Sequence, residues 1–214
     1  MSEMGAALRM NTIDAIIFDL GGVIINISYD ATIRAFSHLC GFDISTLYTQ
    51  QLQDPLFDAY EMGTLTSDEF RDGVRRLLQI DCPDEAIDAA WNAMLLDIPA
   101  ERIALLKAIA PQKRIFLLSN TNEIHKTRFD QLFADCYGNE FESISAMFEK
   151  AYYSHLVGDR KPNVSIFQRV IDEQGLDPRR TLFIEDTLRH IEGAQVAGLQ
   201  TIHLTGGLTL SRWD

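Results

Sequence analysis

The sequence is short of cysteine, proline and positive charge, and it has no long hydrophobic run. Its 214 residues include 3 cysteines and 6 prolines. Cys40, Cys82 and Cys136 are widely spaced and odd in number, which fits neither a thiolate metal pattern nor a disulfide framework. Free thiols in a reducing cytoplasm are the simplest expectation. No stretch approaches the ~20 apolar residues that cross a bilayer, and residues 1–10 lack the apolar centre of a secretory leader. The expected location is therefore cytoplasmic. Lys and Arg number 19 against 31 Asp and Glu, a formal net charge of −12. That deficit argues against nucleic acid as a partner, because a phosphate backbone is met with basic side chains. It argues equally against an anionic membrane. Any phosphate binding has to be local. No feature of the sequence sets an oligomeric state.

What is present is ordinary for a globular protein: 46% apolar and 23% charged residues, enough for one α/β core and a small insertion. Short apolar runs at 13–18, 114–118 and 181–184 read as buried parallel strands, with further strands at about 150–153 and 200–204. Helical spacing intervenes. Ile103, Leu106 and Ile109 mark one helix, residues 122–134 a second, and Ile166, Phe167, Val170 and Ile171 a third that stops at Gly175. A fourth covers 188–197, and the tail from Gly206 is expected to be irregular. This alternation implies a parallel sheet with right-handed crossovers and helices on both faces. Between about Ser28 and Asp97 the pattern is helical only. Ile33, Phe36 and Leu39 lie on one helix that ends before Gly41, and residues 44–52 suggest another. A capping box at Thr66 and Glu69 opens a third with Phe70, Val74, Leu77 and Leu78. Pro83 starts a fourth with Ile87, Trp91, Met94 and Leu95 at the same spacing.

Four separated segments fall at strand ends or helix starts: Phe18-Asp19-Leu20-Gly21-Gly22-Val23, Leu118-Ser119-Asn120, Arg160-Lys161-Pro162 and Ile184-Glu185-Asp186. If their strands share one sheet, the carboxyl ends meet at one edge, where open α/β sheets bind ligands. That edge carries a carboxylate, a hydroxyl, an acidic pair and a lysine, which suits an anionic substrate and a divalent metal. Each piece alone has an ordinary reading: Asp19 and Ser119 as caps, Lys161 as a solvated lysine, Glu185-Asp186 as a polar loop. Their order and spacing make the combination specific.

In these four segments the chain resembles the haloacid dehalogenase superfamily, in its phosphatase-like members with a small helical cap. The resemblance extends over nearly the whole chain, and the Gly-Gly form of the first segment resembles a bacterial branch that includes sugar-1-phosphate phosphatases. It implies a Rossmann-like three-layer α/β core, residues 1–27 and 98–214, with an inserted four-helix cap at 28–97. It also implies a Mg²⁺-dependent phosphatase that acts on a small phosphorylated metabolite, with a sugar phosphate as one option. In that reading Asp19 attacks phosphorus and forms an aspartyl-phosphate. Asp19, the Gly21 carbonyl and Asp186 hold the metal. Ser119 and Lys161 contact the phosphoryl group, and Glu185 orients metal-bound water from behind the ligands. The amides of Gly21 and Gly22 add anion contacts, and Asn120 supports the phosphate-binding loop.

Two positions depart from the family pattern. Gly21 stands where phosphatases of this kind carry an acid/base Asp, a group whose contribution is typically ~10²–10⁴-fold. Asp58, Glu61 or His38 from the insertion are candidate replacements, each with an ordinary solvated or capping role as its alternative. His190 stands where relatives have Asn or Asp. Two other functions stay open at this point: a non-enzymatic binding protein on the same core, and a metal-free 2-haloacid dehalogenase, against which the acidic pair counts. A phosphomutase is disfavoured by the glycine at position 21.

Overall fold

The computed structural model describes residues 12–48 and 54–205. Five strands form one wholly parallel sheet: β1 (Ala15–Phe18), β2 (Arg114–Ser119), β3 (Lys150–Tyr153), β4 (Thr181–Glu185) and β5 (Gln200–His203), in the spatial order β3-β2-β1-β4-β5. All four residues of β1 and all five of β4 are buried, as expected for strands covered on both faces. β1 is central, and its register places Phe18 between Leu117 and Ile184.

Alternate strand residues enter two separate cores, because side chains on a strand point to opposite faces. Ile16, Phe18, Leu117 and Ile184 pack with Ile103 and Leu106 of α5 (Ala100–Ile109) and with Phe129 and Phe133 of α6 (Glu123–Tyr137). Ala15, Ile17, Phe116 and Phe183 pack on the other face. Their partners are Ile166, Phe167 and Val170 of α8 (Val164–Gln174) and Ile191 and Ala194 of α9 (Leu188–Val196). Each fully buried side chain of this size contributes about 1.5–3 kcal/mol relative to exposure. The result is the three-layer α/β arrangement that the sequence implies. A single helical turn, α7 (Ser154–Val157), follows β3.

Among the described residues, four helices lie between β1 and α5: α1 (Tyr29–Cys40), α2 (Pro55–Glu61), α3 (Ser67–Leu78) and α4 (Asp84–Asn92). Ser28 caps α1 at its start, and Gly41 closes it in the left-handed conformation with φ 79°. The capping box of Thr66 and Glu69 on α3 is present in both directions. These helices enclose an aromatic core around Trp91, whose ring lies 5.1–5.3 Å from those of Tyr48, Phe57 and Phe70. Trp91 also stacks on His125 of α6 at 4.5 Å, which fastens the insertion to the sheet-bearing part.

The helix expected at 44–52 is different. Residues 45–47 form a turn, and 49–52 lie outside the described residues. The helix of this region is α2, opened by Pro55 and capped by the Asp54 side chain on the Leu56 amide. α4 ends at Asn92, so Met94 and Leu95 lie beyond it rather than on its face. The expected irregular tail from Gly206 and the start at 1–10 also fall outside the described residues. No described helix is long and apolar enough to cross a membrane.

Candidate active site

The sheet brings three of the four segments to the carboxyl ends of adjacent strands. Asp19 follows β1, Ser119 closes β2, Glu185 closes β4 and Asp186 follows it. The fourth segment arrives from the loop before α8. Lys161 is 1% exposed, and its Nζ donates to Asp19 Oδ1 and to Glu185 Oε2, each at 2.6 Å. Ligand oxygens of Asp19, Glu185 and Asp186 all lie within 4.8 Å of one another. Asp19, Gly21, Ser119, Asn120, Lys161, Glu185 and Asp186 therefore surround one cavity of about 80 Å³.

Glu185 is held from every side. Its Oε1 accepts from the amides of Asp186 and Thr187, both at 3.0 Å, and its Oε2 accepts from Lys161 and pairs with His190 Nδ1 at 3.0 Å. Burial opposes its charge, but Lys161 and His190 hold the carboxyl well below the usual range. Asp186 is different. Burial and the neighbouring Glu185 push it up to about 7. Burial, then Glu185, push Asp19 upward as well, against the pull of Lys161. Three carboxylates thus face one ammonium. Buried charge of that kind is stable only when paired or metal-bound, so the donor set fits a hard divalent cation with oxygen ligands. Asp19 and Asp186 have oxygens to offer it, whereas those of Glu185 are already engaged.

The glycines make this closeness possible. Gly22 has φ +75°, and a Cβ there would meet Asp186 Oδ2 at 2.2 Å. In the same turn the Gly22 amide donates to Ile25 O, and Leu20 O accepts from Ile24 and Ile25. None of these bonds uses the Gly21 carbonyl. The Gly21 position itself is less restricted, since a Cβ would meet only the Ile27 side-chain tip, at 3.1 Å.

Asn120 is committed by its side chain to the Lys161 backbone, so it positions the lysine, and its amide group is not free for phosphate. His190 is a buried partner of Glu185. Of the three candidate replacement acids, only Glu61 lines the cavity. Asp58 is half-exposed and paired with Arg160, and His38 lies at a separate surface groove beside Phe42. Sequence reasoning did not find Tyr29, Tyr48 and Met94, which wall the cavity from the insertion, or Arg160, which joins the insertion to the lysine loop through Asp58 and Glu61. The adjacency of Arg160 to Lys161 was visible, but the direction of its side chain was not.

The sequence matches the haloacid dehalogenase-like hydrolases over residues 13–198. It is 27% identical over 192 residues to a D-ribitol-5-phosphate phosphatase of Bacteroides thetaiotaomicron, covering 90% of this chain and 92% of that protein. It is 25% identical over 200 residues to a sesquiterpene phosphatase of Aspergillus oryzae, covering 92% of each. Among solved structures, the haloacid dehalogenase family enzyme bt-2542 of B. thetaiotaomicron, in complex with magnesium and inorganic phosphate, superimposes with a TM-score of 0.82 at 32% identity. That match covers 94% of this chain and 98% of that one. The chain belongs to the haloacid dehalogenase-like hydrolase family.

Proposed function

We propose that this protein is a Mg²⁺-dependent phosphatase that hydrolyses a small phosphorylated metabolite through an aspartyl-phosphate on Asp19. The observation that carries this reading is the convergence of Asp19, Asp186 and Lys161 around one buried cavity, with Glu185 anchored behind them. The phosphatase relatives and the magnesium and phosphate complex of bt-2542 support it.

Asp19, Asp186 and the Gly21 carbonyl would hold the cation. When bound, it supplies the positive charge that lets an anionic carboxylate approach an anionic phosphate. One Asp19 oxygen accepts from Lys161, which leaves the other to attack phosphorus. The phosphorus–oxygen bond to the organic group breaks as the aspartyl bond forms, and the departing oxygen takes its proton from solvent. Water then attacks phosphorus, releasing inorganic phosphate and restoring the Asp19 carboxylate. Lys161 neutralises the phosphoryl oxygens throughout, and Ser119 donates to one of them. Helices α1–α4 act as the cap that closes over this edge and shapes the pocket, with residues 28–97 as its span. Release of p-nitrophenol from its phosphate, measured with Mg²⁺ and again after EDTA, tests the reading. Turnover that EDTA abolishes and Mg²⁺ restores is expected; no phosphate release under either condition overturns it.

A further inference from the structure

The cavity above Asp19 is walled on its far side by the insertion, and that wall carries a carboxylate. Glu61, the last residue of α2, is 7% exposed and lines the same cavity as Asp19, Ser119 and Asp186. Its Oε2 lies 2.8 Å from Arg160 Nη2. The two are aligned as an ion pair but not as a hydrogen bond, and no other donor reaches that oxygen. Arg160 therefore balances the charge while the acceptor capacity stays unused, although buried polar atoms are nearly always hydrogen-bonded. Tyr29, the first residue of α1, lines the same cavity as this carboxylate and the metal-binding set.

We propose that Glu61, with Tyr29 beside it, binds hydroxyl groups of the substrate's organic part, so that the enzyme selects small polyhydroxylated phosphates whose organic part is uncharged. The inference rests on the phosphatase reading above. An ionised carboxylate only accepts hydrogen bonds, and a hydroxyl chain supplies the donors. A hydrocarbon chain would leave the buried Glu61 oxygen with the Arg160 ion pair alone and no hydrogen bond. A second anionic group would meet its charge. A site built to bond a hydroxyl rejects the analogue that lacks it far more strongly than an apolar pocket rejects an added group.

The test compares phosphate release by the full chain with Mg²⁺ from three substrates of equal length: an alditol phosphate, an n-alkyl phosphate and an aldonic acid phosphate. The parent should favour the alditol over the alkyl substrate by about 100-fold or more in kcat/KM, as expected where a bonded hydroxyl is lost. Glu61→Gln should shrink that preference at least ~10-fold, mainly through KM, and should raise the aldonate relative to the alditol, because a neutral amide no longer repels it. Tyr29→Phe should shrink the preference in the same direction and keeps the proposal testable if Glu61→Gln does not fold. In an Asp19→Asn background, which removes turnover, adding Glu61→Gln should weaken calorimetric binding of the alditol phosphate more than that of inorganic phosphate. A parent preference near unity, or one unchanged in both variants, overturns the assignment. So does a Glu61→Gln protein that keeps the preference but becomes more sensitive to leaving-group pKa, since Glu61 would then be a general acid. A parent that hydrolyses none of the three, nor p-nitrophenyl phosphate, removes the phosphatase reading itself.

Discussion

Asn120 grips Lys161 at both ends of one residue: its Oδ1 accepts the Lys161 amide at 3.0 Å and its Nδ2 donates to the Lys161 carbonyl at 2.9 Å. This pair ties the end of β2 to the loop that delivers the only ammonium bonded to Asp19 among the described residues. Asn120→Ala should therefore lower kcat by roughly 10–100-fold while the protein stays folded, as for loss of a group that orients another. Asn120→Asp should be at least as damaging, because a carboxylate oxygen would face the Lys161 carbonyl. Steady-state kinetics with circular dichroism checks this. Unchanged kcat in both variants would show that the loop holds Lys161 without help.

Asp19→Asn should reduce turnover by on the order of 10³-fold or more, the scale of losing a covalent nucleophile. Asp186→Asn should instead shift the Mg²⁺ concentration needed for half-maximal activity upward, since a neutral amide is a poorer ligand for a hard cation. The two outcomes separate attack from metal holding. A metal titration of Asp186→Asn that overlays the parent curve would remove Asp186 from the metal site.

With glycine at position 21, no carboxyl group at that position protonates the leaving oxygen. A series of substituted phenyl phosphates should show kcat/KM rising steeply as leaving-group pKa falls. Gly21→Asp should flatten that dependence, and its Cβ is accommodated if the Ile27 side chain gives by a few tenths of an ångström. A flat profile in the parent would point to an acid supplied from elsewhere in the cavity.

His125 gives the fold a pH dependence of its own. It is a buried residue of α6 stacked on Trp91, and burial pushes its imidazole from 6.5 down to about 4. The unfolded chain takes up this proton near pH 6.5 and the folded protein does not. Its stabilisation is therefore complete above the unfolded value and is lost as the pH falls from there towards 4. The loss amounts to about 3 kcal/mol over that window. Urea unfolding at about pH 7.5 and about pH 4.5 should show a larger drop for the parent than for His125→Gln. Equal drops would mean that His125 is protonated in the folded state.

The sequence exposes some of these features and hides others, for physical reasons. β1, β2 and β4 are legible because both faces are covered, so their residues read as continuous apolar runs. The start of α3 is legible because its capping box is local. α2 was missed although Asp54 and Pro55 carry the signal for a helix start, because Ile44, Leu47 and Tyr48 offered a stronger apolar pattern nearby. In the structure those residues pack as a turn into the aromatic core. The convergence of Asp19, Ser119, Lys161 and Asp186 follows from topology, which strand order makes accessible to reasoning. The arrival of Glu61 and Tyr29 at the same cavity does not, because it depends on how the insertion packs on the sheet.

The pairing of Phe18 with Leu117 on one side and Ile184 on the other also governs how the protein tolerates change. Asp19, Ser119 and Glu185 are spaced by backbone register and by the ~4.8 Å separation of neighbouring strands, whatever apolar side chains fill the layers beneath. Exchanges of similar volume among Ile16, Phe116 and Phe183 would alter stability without moving the carboxylates. Removing one residue from β1 would have the opposite effect. Side chains alternate along a strand, so the shift would turn Asp19 away from Lys161 and leave a sheet that pairs well and does no chemistry.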